Sequence, residues 1–340
     1  MNTERIDIIS GDWAQGVARA GEILRRGGIV AIPTETVYGL AASALDDEAI
    51  KKVFAAKGRP QNNPLIVHIS DIKELESVAD DIPEVAKKLA RKFWPGPLTM
   101  VLKRKETIAK SVSAGLDTVA VRMPSSKAAR DIIASSGLPL AAPSANISGS
   151  PSPTTAEHVI ADLDGRVDAI VCGEDCTVGV ESTVVALFSS PPRLLRPGAV
   201  TAEELSELLP DLVIDNAVLQ EPQKDMPVAS PGMLYKHYAP KTETFLVEGE
   251  SDNYVSFVNS KENCAAVCFS DEANKIKATK IVYGKKDNPY ILAKNLFSAL
   301  RQVDTLGVHS VYVHAPDKKG MGLAVYNRLI RAAGFKVIKL

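Results

Sequence analysis

Five polar clusters hold the residue types in this chain that could do chemistry. The first, Pro33-Thr34-Glu35-Thr36-Val37-Tyr38-Gly39-Leu40, presents hydroxyls, a carboxylate and a phenol after an apolar run, so it reads either as a capped turn or as a ligand site. In the second, Lys57-Gly58-Arg59-Pro60-Gln61-Asn62-Asn63-Pro64, two cations and three amides share a turn shaped by glycine and proline. Arginine can fork two phosphate oxygens while lysine adds a point charge; a solvated helix end is the alternative. Alternation along Thr118-Val119-Ala120-Val121-Arg122-Met123-Pro124 puts Thr118, Ala120 and Arg122 on one strand face, a site if that face is covered and an edge charge if it meets water. The small and short polar residues of Ala141-Ala142-Pro143-Ser144-Ala145-Asn146-Ile147-Ser148-Gly149 let backbone amides approach a ligand, or make a plain Ser/Asn turn. The fifth cluster, Gly179-Val180-Glu181-Ser182-Thr183-Val184-Val185, leads to Arg193 and Arg196-Pro197-Gly198, again as ligand groups or as an exposed strand end.

Each cluster follows a segment with strand or helix character, which is where open α/β sheets present ligand groups. Apolar residues at helical spacing over 14–26 stop at Gly27-Gly28, 29–32 reads as a buried strand, and Asp46 or Asp47 can cap a helix running to Ala56. Further strands are expected at 65–69, 98–102, 118–122, 138–142, 169–172, 182–188 and 193–196, with a helix at 202–209. This alternation predicts an α/β unit over 1–214. The stretch 215–241 has four prolines and little periodicity, so it reads as a linker, yet Ser230-Pro231-Gly232-Met233-Leu234-Tyr235-Lys236-His237-Tyr238 is too rich in aromatic and basic groups for a bland spacer and suggests a lid. Strands near 245–247, 265–269, 280–283, 310–313 and 335–338, and helices near 291–306 and 323–333, predict a second, smaller α/β domain over 242–340.

Composition removes several alternatives. Forty Lys and Arg against 41 Asp and Glu leave a formal charge of −1, so no global field holds a polyanion. No run approaches the roughly 18 apolar residues of a membrane span, and 1–13 lacks the apolar core of a signal peptide, so a cytoplasmic protein is expected. Cys172 and Cys176, like Cys264 and Cys268, are spaced unlike common zinc ribbons and read as reduced thiols, with one four-thiolate site as the alternative. Neither a Gly-x4-Gly-Lys-Ser/Thr loop nor a Gly-x-Gly-x-x-Gly turn is present. Gly320-Met321-Gly322 lacks its third small residue at Val325 and reads as a helix start, and His309 and His314 have no matching ligands.

Taken in order, Pro33 to Leu40, Lys57-Gly58-Arg59-Pro60, Asn63-Pro64-Leu65, Pro143-Ser144-Ala145-Asn146 and Glu181-Ser182-Thr183 resemble the signature of the threonylcarbamoyl-adenylate synthases. The stretch Ser230-Pro231-Gly232-Met233 to His237-Tyr238-Ala239-Pro240, with the small second domain, is similar to the longer, two-domain form of that family, whose single-domain members stop before the linker. The resemblance implies a twisted open mixed sheet with helices, YrdC-like, followed by a smaller Rossmann-like α/β domain. It implies synthesis of L-threonylcarbamoyladenylate from L-threonine, bicarbonate or CO2 and ATP with release of pyrophosphate, for modification of the adenosine beside the anticodon. Threonine would lie near Thr36, His68, Arg122, Ala142 and Ser182, with Arg122 facing its carboxylate. ATP would be held by Lys57, Arg59, Asn63, Thr118, Ser144, Asn146, Ser152 and Arg196, with Tyr235 closing over it and Lys57 and Arg59 as catalytic cations. Mg²⁺ would arrive with the nucleotide, and the product would pass to a separate tRNA threonylcarbamoyl transferase, leaving direct tRNA contact open. Two rivals remain in view: a carbamoyl-phosphate-using maturation factor, which would need acylphosphatase and zinc-finger modules not found here, and an RNA-binding module of the same fold without catalysis.

Overall fold

The computed structural model of the chain describes residues 2–221 and 237–340. Twelve described strands form the larger sheet: β1 (Glu4–Asp7), β2 (Val30–Ile32), β3 (Gly39–Ser43), β4 (Ile66–His68), β5 (Ala79–Asp80), β6 (Leu98–Arg104), β7 (Thr118–Arg122), β8 (Leu140–Ala141), β9 (Ala169–Cys172), β10 (Thr183–Ala186), β11 (Arg193–Arg196) and β12 (Val213–Ile214). Their spatial order is β1-β9-β2-β3-β8-β4-β7-β6-β10-β11-β12, with β5 paired to β6. Parallel and antiparallel pairs alternate irregularly, so the sheet is mixed, as expected.

The helices form where local chemistry permits. Asp12 caps α1 (Trp13–Arg25), and Asp46 caps α2 (Asp47–Lys57) by accepting from the amides of Glu48 and Ala49. Gly58 ends α2 at a φ of +62°, a left-handed conformation that costs a residue with a Cβ roughly 1–2 kcal/mol. The chain continues through α3 (Leu75–Val78), α4 (Glu84–Phe93), α5 (Lys127–Ser136), α6 (Ala156–Leu163) and α7 (Ala202–Ser206). One core lies beneath α2, α4 and α6, with Ile50, Val53, Leu89 and Val159 against Ala31, Met100 and Val121; α1 and α5 build a second on the opposite face against Val30, Ile32 and Val171. Beyond the reach of α1 and α5, that second face of β4, β6, β7 and β10 holds only a small cluster of Ile66, Val101, Ala120, Val184, Ala186 and Leu195.

The second sheet is wholly parallel, in the order β15 (Thr279–Gly284), β14 (Cys264–Phe269), β16 (Ser310–His314), β13 (Glu243–Glu248) and β17 (Val337–Lys339). Helix α8 (Ser251–Asn259) covers one face, and α9 (Pro289–Val303) with α10 (Met321–Ala332) covers the other, as a buried parallel sheet requires. Gly320 precedes α10, so its glycine pair does start a helix. All four cysteines are free thiols, one pair packed in the large-sheet domain and the other in the small. His314 is fully buried between Tyr254 and Phe269 with Nδ1 2.6 Å from Glu272, a core histidine.

The core over α9 and α10 also contains Val37, Val180 and Tyr238, residues of the site loops and the end of the linker. Arg301 on α9 bonds Asp162 at 2.7 Å and the Pro151 carbonyl at 2.6 Å, and Asn327 and Arg331 on α10 donate to the carbonyls of Val218 and Ala217. Gly179, at a φ of +83°, lies so near α9 that a Cβ there would stand 2.4 Å from the Lys294 Cα.

Candidate active site

Pairing of β4 between β7 and β8 sets His68 beside Arg122 on one side and Leu140 on the other, and pairing of β7 with β6 sets Arg122 opposite Thr99. These residues extend the small apolar cluster toward the strand ends, where the loops converge on a cavity of about 60 Å³. Loop 33–40 is tied to turn 143–146 by Leu40 N–H to the Pro143 carbonyl and Ala145 N–H to the Tyr38 carbonyl, each at 2.8 Å.

Of the residues expected around threonine, Thr36, His68, Arg122, Ala142 and Ser182 all line this cavity. Arg122 is almost wholly buried. It pairs with Glu35 at 2.6 Å, donates from Nη1 to Thr36 Oγ1 at 2.9 Å and from Nε to the Gly96 carbonyl at 3.3 Å. A guanidinium has five N–H groups; Nη1 keeps one beyond its bond to Thr36, and Nη2, though ion-paired to Glu35, has no hydrogen-bond partner among the described residues. Burial raises the Glu35 carboxyl, but Arg122 and the Ser125 amide outweigh it and leave its pKa lowered. His68 donates from Nδ1 to the Ile66 carbonyl at 3.1 Å; burial and the charge of Arg122 push its pKa down to about 3, so it is neutral and its Nε2 is unprotonated. Ser182 Oγ is held by Thr99 Oγ1 at 2.7 Å and by Arg196 Nη2 at 3.1 Å.

The residues expected around ATP divide. Arg59, Ser144 and Arg196 line the cavity. Arg59 reaches the carbonyls of Asn63 and Pro64 only at 3.4 and 3.3 Å, and its shielded Nε has no hydrogen-bond partner. Arg196 donates from Nε to the Ser182 carbonyl at 3.0 Å. Burial lowers both guanidinium pKa values to about 10, and neither arginine forms an ion pair among the described residues. Lys57, Asn63, Asn146 and Ser152 stand behind the lining. Lys57 is buried, with Nζ 2.5 Å from the Ser144 carbonyl, 2.6 Å from the Asn146 carbonyl and 3.4 Å from Asn146 Oδ1, so its three donors brace the turn that presents Ser144. Burial, and Arg59 next, depress its pKa well below the usual lysine range. Asn146 Oδ1 also accepts from Ser144 Oγ at 2.6 Å, and Ser152 Oγ donates to Glu181 at 2.5 Å. Thr118, at the start of β7, is four residues from Arg122 and does not line the cavity. Tyr235 lies outside the described residues.

The cavity also holds groups to which the sequence assigned no role: Thr34, Glu181, His237 and Tyr238. Thr34 and Glu181 stand inside quoted clusters, and His237 and Tyr238 inside the aromatic linker segment, so position was the available signal. Burial and the charge of Arg59 push the His237 pKa down to about 3. Cations exceed acids here: Glu35 is taken by Arg122 and Glu181 by Arg328, so Arg59 and Arg196 are left facing a shielded space, an arrangement suited to an anion. Among the described residues no group of three or more His, Cys, Asp and Glu converges on a metal position.

Residues 22–198 match the family described as telomere recombination, and residues 200–334 match that described as threonylcarbamoyl-AMP synthase, C-terminal domain. The threonylcarbamoyl-AMP synthase of Pyrococcus abyssi is 45% identical, with 99% of this chain and 98% of that protein aligned; that of Bacillus subtilis is 42% identical over 95% and 94%. The crystal structure of Pyrococcus abyssi Sua5 complexed with L-threonine superposes at a TM-score of 0.89 and 40% identity, covering 100% of each chain.

Proposed function

Because this chain belongs to the threonylcarbamoyl-AMP synthase family, an enzyme family, we propose that it joins L-threonine, bicarbonate or CO2 and ATP into L-threonylcarbamoyladenylate and releases pyrophosphate. The observation that carries this reading is the division of one cavity between a buried Arg122 with free N–H groups and two arginines, Arg59 and Arg196, without carboxylate partners. Arg122 takes the threonine carboxylate, with Thr36, Ser182 and neutral His68 around the rest of the amino acid. A neutral imidazole adds no charge to oppose the amine. Arg59, Arg196 and the Ser144 turn take the phosphates; Lys57 and Asn146 hold that turn, and Asn63, Thr118, Ser152 and Tyr235 complete the proposed nucleotide set.

The chemistry needs no protein nucleophile. The neutral amine of threonine adds to the carbon of CO2, a new N–C bond forms, and a proton is lost to give a carbamate. A carbamate oxygen then attacks the α-phosphorus of ATP, the bond to the β-phosphate oxygen breaks, and pyrophosphate leaves with that electron pair. The protein contributes position and positive charge in a shielded site. With Glu181 of the cavity lining engaged by Arg328 and Glu35, behind that lining, by Arg122, Mg²⁺ enters as part of the MgATP substrate, held by phosphates and water. The product passes to a separate transferase acting on tRNA in the cytoplasm. No helix of the described residues is long and apolar enough to cross a membrane. The division into a catalytic unit over 1–214, a linker over 215–241 and a small domain over 242–340 belongs to the same proposal.

Pyrophosphate release from MgATP, with threonine and bicarbonate omitted in turn, tests this. Dependence on both is expected. Release indifferent to threonine, or none, would overturn it and favour RNA binding, which titration of tRNA at two salt concentrations would then show.

A further inference from the structure

Helix α10 of the small-sheet domain sends one fully buried side chain into the wall of the cavity. Arg328 donates from Nε to Glu181 Oε2 at 2.9 Å, from Nη2 to the Glu181 carbonyl at 3.1 Å and from Nη1 to the Pro197 carbonyl at 2.5 Å. Those two residues flank the cavity groups: Glu181 precedes Ser182, and Pro197 follows Arg196. Ser182 and Arg196 are bonded to each other through both the carbonyl and the hydroxyl of Ser182. A single guanidinium from the second domain therefore grips both ends of the Ser182–Arg196 pair.

We propose that Arg328 is a positioning residue for the reaction, through which the second domain sets Ser182 and Arg196 at the substrates; this rests on the function proposed above. The electrostatic part runs through Glu181, whose carboxylate is shared between Ser152 Oγ and Arg328 and is only 7% exposed. Without Arg328 that buried charge is uncompensated, and the cation that acts on it most strongly after Arg328 is Arg196. Arg196 would turn from Ser182 toward Glu181, so threonine and nucleotide groups would be lost together. Two further contacts tie the same loop to the second domain: Val180 in the shared core and Gly179 against the backbone of α9. Neither carries charge, which sets Arg328 apart from ordinary docking contacts.

The test uses the full chain with Arg328→Lys and Arg328→Met, each alone and combined with Glu181→Gln, and Asp162→Asn as a variant that breaks the Arg301 docking pair. Pyrophosphate release with threonine and ATP varied separately, threonine titration by calorimetry and thermal melting are measured for each. Arg328→Met is expected to raise the threonine KM and Kd at least tenfold, and Arg328→Lys at least threefold, the latter remaining informative if the former does not fold. In the Glu181→Gln background the same changes at Arg328 should have less than a threefold effect, because the stranded charge is gone. Asp162→Asn should lower the melting temperature and leave KM within twofold. If both Arg328 variants behave like Asp162→Asn, or their effects multiply with Glu181→Gln, Arg328 only docks the domains. A wild-type chain that fails to bind threonine would instead overturn the proposed function.

Discussion

Replacing Arg122 with methionine separates its two tasks, balancing Glu35 and holding a substrate carboxylate. The pair is buried, with side chains 4% and 8% exposed, so losing the cation strands a carboxylate. Breaking such a pair costs roughly 3–5 kcal/mol, and the lower figure applies because the Ser125 and Ser126 amides still donate to Glu35 at 3.1 and 3.4 Å. Urea unfolding at pH 8 should therefore show a loss of about 3 kcal/mol. With Arg122 gone, burial becomes the dominant influence and lifts the Glu35 pKa above its unfolded value. A group so raised binds its proton more readily when folded, so stability returns as pH falls through the raised value, and the deficit should shrink between pH 8 and pH 5. Arg122→Met/Glu35→Gln should recover most of the stability at both pH values. Threonine binding should not recover: two charge-assisted bonds worth roughly 1.5–3 kcal/mol each imply at least a tenfold weaker Kd by calorimetry. A double variant that binds threonine like the wild type would refute the assignment and leave Arg122 as a counterion.

Lys57→Met removes all three bonds to the Ser144–Asn146 turn and strands their acceptors, so a loss of about 2–4 kcal/mol in urea unfolding is expected, with the KM for ATP rising more than that for threonine. His68 titrates near 3 when folded and near 6.5 when unfolded; its contribution is complete above the unfolded value and falls as pH drops toward 3, costing about 2 kcal/mol at pH 5. Unfolding midpoints of His68→Gln should accordingly depend less on pH between 7 and 5 than those of the wild type, and an unchanged slope would contradict this. Gly179→Ala forces a Cβ onto α9 at a φ of +83° and should lower stability by about 3 kcal/mol through overpacking and backbone strain, read as a drop in melting temperature.

What could be read from the chain alone were local signals. The cap at Asp46, the turn that Gly58 shapes, the alternation that puts Arg122 on a strand face, and the order of the polar clusters are properties of a few neighbouring residues, and they located most of the cavity lining. Four strand boundaries contracted, from 29–32, 65–69, 138–142 and 182–188 to Val30–Ile32, Ile66–His68, Leu140–Ala141 and Thr183–Ala186, where the paired register ends. Strand β3 was not legible. Gly39-Leu40-Ala41-Ala42-Ser43 is buried on both faces and poor in β-formers, so it has neither alternation nor propensity, and only its neighbours β2 and β8 make it a strand. Edge strand β1 likewise depends on β9, more than 160 residues away. Side-chain bonding was decided at the same level. Nothing local tells that Lys57 braces a turn 87 residues distant, that Glu35 claims part of Arg122, or that an arginine 147 residues beyond Glu181 neutralises it. Residue types and spacing determined which groups could hold two anions; pairing and domain packing decided which cations stay free to do so, because a charge is neutralised by whatever lies within a few ångströms in space, regardless of separation along the chain.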